Sequence, residues 1–452
     1  MKYFFITHAP KALFTLLLTF SFLQFNAQET GISPYSRIGL GDFNNGHSPA
    51  YNTMGGASVA LSDFNLLNIS NPASYSAMVK HMPVFEMDGT SQFLTLKSNS
   101  GQGKLAATTF TKLAIGIPVN NRMGISFGLL PYTTTGYNIT STNTEPAIGD
   151  VTYSFKGKGG LNRTYLGAGY DIINKDSINL SVGFNFSFLF GNINKTRRVE
   201  FPEDDNAMNS ILSQSTNNYG FEFEFGLLYN QKITNKLSYS FGASLSTGSK
   251  LTSTRDEFFG TYTNFSSVEV MRDTLFYAAE NKGEINIPFN FKIGAAVKLN
   301  NNFEITAQFQ MQDWSLYKED FTKSSASDSL VSSSSISAGL RYTPSNVFNT
   351  TAKYYEKIQY RLGFRYENSP LQFNNTQIKE FGTSFGLGLP IKPSSTSKNE
   401  FKSLSMINIG VDMGSRGATE NGLIKENFTT VYFGISIMPQ VRNRWFVKRK
   451  FD

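Results

Sequence analysis

Hydrophobic and small polar residues alternate along most of this chain, most regularly over residues 178–190. Every second residue there is large and apolar, and Asn, Ser or Gly fills the intervening positions, with Leu189 as the one apolar exception. A period of two predicts a β-strand with two unlike faces. Its 13 residues exceed the usual soluble strand of about five to six residues, and they suffice for a tilted bilayer-crossing strand, which needs roughly 9–11.

The same alternation recurs along the chain. With a weaker first strand at 84–97 it predicts fourteen strands, an even number such as bacterial single-chain barrels have. The other predicted strands cover 113–119, 123–129, 166–172, 178–190, 221–229, 237–245, 285–299, 303–311, 336–342, 358–366, 381–389, 407–413 and 431–437.

The connections between these strands alternate in length. Short Asn-rich turns, which suit tight hairpins, follow the second, fourth, sixth and eighth strands at 120–121, 174–176, 234–236 and 300–302. The intervening connections are longer, at 138–150, 194–216, 254–283, 314–332 and 415–427, while 345–357 and 391–402 are exceptions on the short side. Short periplasmic turns and long outer loops are typical of outer-membrane barrels. A soluble β-solenoid or stacked sandwich is the alternative, but it does not explain small polar residues opposite aromatics on strand after strand.

Residues 1–27 have the features of a secretory signal peptide. Lys2 and Lys11 precede an apolar run over 12–25, and cleavage is expected after Ala27. No later segment offers the roughly 18 apolar residues that a membrane-spanning helix needs. We therefore expect an exported protein that enters a membrane through its strands.

Residues 28–80 differ from the rest, being rich in Gly, Ser, Asn and Pro. Asn71 can cap a helix and Pro72 suits its first turn, so a compact segment of short helices and turns is predicted. A loosely ordered N-terminal arm is the alternative. The segment contains two runs that look like motifs: Met54-Gly55-Gly56-Ala57-Ser58-Val59-Ala60-Leu61 and Asn71-Pro72-Ala73.

With these motifs and fourteen strands, the chain resembles the FadL/TodX family of outer-membrane long-chain fatty acid and hydrophobic-compound transporters. The motif match covers about twenty residues around Gly55, Gly56, Asn71, Pro72 and Ala73, and Ser74 stands where the family usually has Gly. The resemblance implies an all-β, 14-stranded antiparallel transmembrane β-barrel with a small N-terminal hatch domain inside the lumen. The expected parts are a signal peptide at 1–27, a hatch at 28–80, a barrel at 81–438 and a basic periplasmic tail at 439–452.

Composition argues against catalysis, cofactors and nucleic-acid binding. The chain has no Cys and three His, of which His8 leaves with the signal and His47 and His81 lie in or just after the hatch. The barrel thus lacks an imidazole base or ligand, and we predict no catalytic residue, no metal site and no cofactor. An acidic run at 203–205 is expected to be a solvated loop. The net charge of +7 resides largely in the signal peptide and the tail after 441, so it does not indicate nucleic acid.

Charged residues on the polar strand faces are candidates for ligand binding in the lumen. Arg341 and Arg361 are each about three residues from the same periplasmic turn, and Arg365 lies on the second of these strands. Guanidinium groups facing a lumen could hold a carboxylate headgroup. Alternatively, they pair with hatch acids such as Asp42 or Asp63 and pin the plug.

A break in the wall is a third feature. Pro131 in the third strand removes a ladder donor, and Gly157, Gly159 and Gly160 interrupt the facing fourth strand. Breaks in neighbouring strands could form a lateral opening, which the resembled family has at its kinked third strand. An ordinary β-bulge is the alternative.

Two functional hypotheses follow for a protein in the outer membrane of a Gram-negative bacterium. In the first, the barrel takes up hydrophobic small molecules passively through its lumen and a lateral opening. In the second, a FadL-like barrel is an accessory subunit of a larger outer-membrane assembly or secretion complex. The aromatic stretch 254–283 and the basic tail would be its contacts. Alternatively, the aromatic stretch collects apolar ligands, and the tail contacts anionic membrane lipid or is a solvated terminus.

Overall fold

The structure is a computed structural model of a β-barrel. It describes residues 32–99, 101–146, 148–202, 207–265, 268–300, 302–321, 329–373, 375–395 and 402–439. The expected signal peptide, the acidic run at 203–205 and the tail from residue 440 onwards lie outside the described residues.

Fourteen antiparallel wall positions close into a ring, because the last strand pairs with the first from Lys425↔Lys97 to Ile437↔Phe85. The wall strands are β2 (Val84–Ser98), β3 (Gly101–Pro118), β4 (Met123–Glu145), β5 (Gly149–Asn174), β6 (Ile178–Glu200), β7 (Asn209–Thr234), β8 (Leu237–Phe265), β9 (Val268–Ile287), β10 (Asn290–Leu299), β11 (Phe303–Asp313), β14 (Ser332–Tyr342), β15 (Gln359–Phe373), β16 (Thr376–Ser395), β17 (Lys402–Arg416) and β18 (Lys425–Ile437). β9 and β10 both pair with β8 and share one position, interrupted at Pro288, which cannot donate to the ladder.

Three short strands among the described residues lie off the main wall. β1 (Asp42–Phe43) precedes the barrel, and β12 (Lys318–Glu319) and β13 (Ser329–Leu330) lie in the connection between β11 and β14. That connection also holds a 3-10 helix, Trp314–Leu316, and the turn after β14 holds a one-turn helix, Tyr354–Lys357. No helix in the described ranges is long and apolar enough to cross a membrane.

The two-residue period places the strand faces as predicted. On β6, Phe184 and Phe186 are exposed on the outside, while Asn185 and Ser187 are buried on the lumen side. The rings pack across strands, with Phe186 stacked on Phe221 of β7 at 5.4 Å, so the outer face offers lipid an aromatic surface. The one exception, Leu189, faces inward and packs in a lumenal core with residues such as Leu40 and Leu161.

The predicted outer loops are shorter than expected, because the strands continue beyond the bilayer. Among the described residues, β4 continues to Glu145, β5 starts at Gly149, β6 continues to Glu200 and β7 starts at Asn209, while β8 and β9 cover 254–265 and 268–283. Their Thr, Tyr, Phe and Ile residues favour extended backbone. The strands predicted from the alternation alone were therefore too short. β4 to β9 are 20–29 residues long, whereas β10 and β11 have 10 and 11, so one side of the barrel is much taller.

Residues 32–83 lie inside the barrel as a compact segment of turns. They contain two 3-10 helices, Pro34–Arg37 and Pro72–Ala77, and a one-turn helix, Pro49–Asn52. Asn71 caps the second 3-10 helix by accepting a hydrogen bond from the Ala73 N–H at 3.1 Å. The segment is densely buried, including Tyr51, Met54 and Tyr75 at 1 % exposure or less. A hatch therefore fills part of the lumen, as the resemblance implied.

Candidate functional site: the plugged lumen

The glycine-rich hatch motif touches the wall backbone directly. Gly55 and Gly56 have φ values of 67° and 81°, a left-handed region that favours glycine. A Cβ on Gly363 of β15 would lie 2.0 Å from the Gly55 nitrogen, so only glycine fits there. The Gly55 N–H also donates to Ser384 Oγ at 3.2 Å.

The second motif, Asn71-Pro72-Ala73, meets the opposite wall in the same way. A Cβ on Gly183 of β6 would lie 2.2 Å from the Ala73 nitrogen and from the Pro72 carbonyl carbon. Asn71 Nδ2 donates to the Leu227 carbonyl of β7 at 3.0 Å. Both motifs thus lie at points of close backbone contact between hatch and wall.

Arg341 of β14 joins the hatch to the wall. Its guanidinium contacts Asp63 of the hatch at 2.9 Å and also Glu304 of β11. Burial would raise the pKa of the Asp63 carboxyl, but the charge and hydrogen bond of Arg341 outweigh it and lower that pKa. Arg341 thus makes the plug-pinning contact that was the alternative to ligand binding.

The other two candidate arginines also have partners within the barrel. Arg361 lies opposite Arg341 in the β14–β15 ladder, as expected, but donates to Asn408 Oδ1 at 2.9 Å and to Gln359 Oε1 at 2.7 Å. Arg365 is paired with Glu380 at 2.7 Å and with Asp412 at 3.1 Å. Binding of a carboxylate by either group would have to compete with these contacts.

Several lumenal pairs were not identified from the sequence. Lys112 is fully buried between Glu86 and Asp88, at 2.5 and 3.0 Å. Arg416 contacts Asp42 of the hatch at 2.9 Å. Lys112 and Arg416 have inward positions in their strands, and this alternation is the signal that could have identified them.

A cavity of about 430 Å³, called here the chamber, lies between the hatch and the inward faces of the wall strands. Seven acids and four bases line it. The acids are Asp42, Glu222, Glu224, Glu367, Glu380, Asp412 and Glu426, and the bases are Arg163, Lys292, Arg365 and Arg416. Several of them pair, as Arg163 does with Glu222 at 3.5 Å. No group of three or more His, Asp or Glu suited to a metal ion occurs among the described residues.

His47 of the hatch also lines the chamber. Burial, together with the positive charges of Lys292, Lys112, Arg365 and Arg163, lowers its pKa to about 3. The imidazole is therefore neutral at pH 7. Its Nε2 atom is buried without a hydrogen-bond partner among the described residues.

The wall has a gap between β3 and β4, called here the seam. Within the described chain these strands pair only from Leu113↔Leu129 to Pro118↔Gly124, so the 101–112 part of β3 lacks a partner on that side. The facing edge of β4 is partly covered by the hatch, because Asp42 and Phe43 pair with Thr134 and Thr133. The seam begins seven residues into β4. A tilted strand needs roughly 9–11 residues to cross a bilayer, so the seam begins at membrane depth.

The seam lies one ladder away from the expected glycine break. Pro131 stands at a bulge of the β4–β5 ladder, close to the point where the seam begins. Gly157, Gly159 and Gly160 do not interrupt β5, which runs unbroken over Gly149–Asn174. Gly159 and Gly160, with φ values of 112° and 144°, lie opposite the bulge and let β5 follow it.

The aromatic stretch 254–283 is a β-hairpin rather than a loop. Its second strand, β9, is exposed on both faces over most of its length, and Leu275, Phe276 and Tyr277 are at least half exposed. On the side away from β8, the described residues pair with β9 only at Ile285 and Asn286. This leaves an exposed edge, called here the β9 edge, over residues 268–283.

Solved structures share this fold at low sequence identity. A Pseudomonas aeruginosa FadL homologue matches with a TM-score of 0.54 and 11% identity over 87% of this chain and 98% of its own. The toluene transporter TbuX of Ralstonia pickettii matches with a TM-score of 0.52 and 13% identity over 86% of this chain and 98% of its own. The monoaromatic hydrocarbon channel CymD matches with a TM-score of 0.51 and 12% identity over 87% of this chain and 97% of its own. The resemblance to FadL/TodX is confirmed for the fold.

A comparison with curated protein sequences finds no match. The model of one protein family, BamG, matches residues 10–452. That match spans the hatch motifs, every wall strand and both sides of the seam. The chain belongs to the BamG family.

Proposed function

We propose that this protein is an outer-membrane barrel of a Gram-negative bacterium and serves as an accessory subunit of a larger outer-membrane protein assembly. The observation that carries the proposal is the β9 edge. A lone protein in water rarely leaves a long edge strand with free backbone groups and large apolar side chains.

The length of the hairpin supports a position outside the membrane. β8 begins after the short turn at 235–236 and runs 29 residues. A tilted strand needs roughly 9–11 residues to cross the bilayer, so more than half of the hairpin extends beyond it. Within the described chain, the N–H and C=O groups of β9 that point away from β8 have no strand partner over 268–283. They suit an extended strand of another protein, which would add to the sheet.

The lumen supports the same proposal. Ion pairs and hydrogen bonds attach the hatch, which fills part of it, to several wall strands. Most of the side chains that line its chamber are polar. Binding sites for small apolar ligands are lined predominantly by hydrophobic and aromatic side chains. This lumen is therefore poorly suited to hydrocarbon uptake.

Site-specific photo-crosslinking in cells tests the proposal. A photoreactive residue at Tyr277 on the hairpin should capture one defined protein in stoichiometric yield. The control is Tyr354 in the turn after β14, which is similarly exposed, at 57 % against 64 %. Phe276→Lys should lower capture and co-purification while the barrel stays folded. The proposal would be contradicted if neither position captured a protein and the chain purified from mild detergent as a monomer without partners.

The second candidate function is passive uptake of fatty-acid-like hydrophobic molecules through the lumen and the seam. The seam favours it, since an apolar molecule could leave sideways into membrane lipid. A disulfide across the seam, with one Cys in 107–112 and one in 130–135, should then slow fatty-acid entry into proteoliposomes. Equal entry with the disulfide formed and reduced would exclude this route.

A further inference from the structure

The chamber has the features of a ligand site, and its chemistry narrows the class of ligand. An excess of acids over bases disfavours an anionic group such as a fatty-acid carboxylate or a phosphate. The many Ser, Thr, Asn and Gln side chains in its lining disfavour a hydrocarbon. Five of the seven acids are already paired with the four bases, so the lining offers a cation little free charge. A neutral molecule that can exchange many hydrogen bonds fits this chamber best.

Four buried polar atoms in the chamber lining have no partner in the described protein. They are His47 Nε2, Arg163 Nε, Asn290 Oδ1 and Arg416 Nε. His47 and Arg163 are themselves more than nine-tenths buried. An unsatisfied buried polar atom is destabilising. Four of them on residues that line one cavity leave hydrogen-bonding capacity that a ligand would satisfy once these side chains turn towards it. Hydroxyl groups both donate and accept hydrogen bonds, and therefore suit this mixture of atoms.

An aromatic cluster lies at one end of the chamber. Phe43 of β1 contacts Trp314 at 4.5 Å and Tyr132 at 5.6 Å between ring centroids. Phe43 lies inside the barrel, yet the residue is 37 % exposed. An accessible ring beside hydrogen-bonding side chains can cover the C–H face of a sugar while hydroxyls reach the polar groups.

We infer that the chamber binds a neutral, hydroxyl-rich saccharide, either free or as the headgroup of a glycolipid. The seam allows the second source, because Thr109 and Thr111 on β3 and Pro131 and Thr134 on β4 all line the chamber. A headgroup could occupy the chamber while its acyl chains remain in the membrane. The inference does not depend on the assembly role proposed above.

Trp314 provides a built-in reporter. The chain has two tryptophans, so Trp445→Phe leaves Trp314 as the only one. The full-length variant is purified in lauryldimethylamine oxide, a detergent without sugar. It is titrated with maltotriose, with dodecyl maltoside below its micelle concentration, and with a dodecyl ethylene-glycol ether that has the same tail and no sugar. Palmitate serves as the fatty-acid probe.

We expect saturable changes in Trp314 emission with one or both sugar probes. A response to both indicates recognition of the saccharide alone, and a response to dodecyl maltoside only indicates a glycolipid that uses the seam. Asn290→Leu, which removes an unpaired acceptor, should weaken binding by about tenfold. Asn217→Leu on the exposed surface of β7 is the matched control and should bind as the parent does.

The inference is overturned if no sugar probe gives a saturable response, or if the sugar-free ether or palmitate binds as well as dodecyl maltoside. Unchanged binding by Asn290→Leu would also overturn it. If that variant does not fold, Phe43→Leu replaces it, because loss of the aromatic face should weaken sugar binding while an apolar side chain is retained. Neither result bears on crosslinking at Tyr277, so the two proposals fail separately.

Discussion

At the residue scale, the lumen is organised by buried charges whose partners lie far apart in sequence. Arg341 and Asp63 are 278 positions apart, and Arg416 and Asp42 are 374 apart. In each pair the hatch supplies the acid and the wall supplies the arginine. Removing one member of a buried pair leaves the other without its counter-charge, which costs more than the pair itself contributes.

Asp63→Asn should therefore destabilise the protein. Arg341 would keep Glu304 but lose its hatch partner, and we expect a loss of about 3 kcal/mol in the free energy of unfolding. Urea unfolding followed by electrophoretic mobility measures it. Glu284→Gln, in the half-exposed Lys250–Glu284 pair, is the control and should change stability by less than about 1 kcal/mol. Equal effects of the two changes would contradict the role given to Asp63.

The buried His47 predicts a pH dependence. Its pKa is about 3 in the folded protein and about 6.5 in an unfolded chain. Between these values the unfolded chain binds a proton that the folded chain does not, so the free energy of unfolding falls as pH falls. The slope is at most about 1.4 kcal/mol per pH unit.

His47→Gln removes the group that binds this proton and should flatten the dependence of the free energy of unfolding on pH. Comparison of urea midpoints at pH 7 and pH 4.5 checks this, with the wild type losing more stability than the variant. Parallel losses in the two proteins would show that His47 does not contribute to acid sensitivity.

At the scale of elements, hatch and wall meet where glycines remove side chains. Gly363→Ala would force a Cβ into the Gly55 backbone and should displace the hatch, lowering stability by about 1–3 kcal/mol and raising leakage through the barrel. Gly103→Ala on β3, where a Cβ meets nothing within 4 Å, is the control. A similar unfolding midpoint and leakage for both variants would mean that the contact at Gly363 does not matter.

The seam predicts uneven protection of the wall strands. Within the part of the chain that the structure describes, amides of β3 over 101–112 that point away from β2 lack a strand partner, whereas β7 is paired on both sides over 210–222. Hydrogen–deuterium exchange should therefore be faster in peptides from 101–112 than in peptides from 210–222. Equal protection of the two segments would indicate that the seam is closed in solution.

At the scale of the whole molecule, barrel and hatch have separable roles. The wall closes through its own β18–β2 ladder, so deletion of residues 28–80 should leave a folded barrel. Because the hatch fills part of the lumen, small-solute leakage into proteoliposomes should rise when it is removed. Unchanged leakage from a correctly folded deletion variant would mean that the hatch does not block the pore.

The sequence by itself determined the wall of this protein. Alternation is a local property of each strand, and fourteen repeats with Asn-rich turns are enough to predict a closed barrel and the lipid-facing side of residues such as Phe184 and Phe186. The hatch motifs were equally local, because Asn71 and Pro72 begin a helical turn through their own backbone preferences.

Only the tertiary structure decided what the lumen contains. Which acid pairs with Arg341, how far β8 and β9 rise, and where the seam lies depend on the register and tilt of strands that close a ring. The position of the seam one ladder from Gly159 illustrates this, since the bulge at Pro131 lies in the β4–β5 ladder whereas pairing is lost on the other edge of β4, towards β3. Such long-range geometry arises from closure, and no single stretch of sequence encodes it.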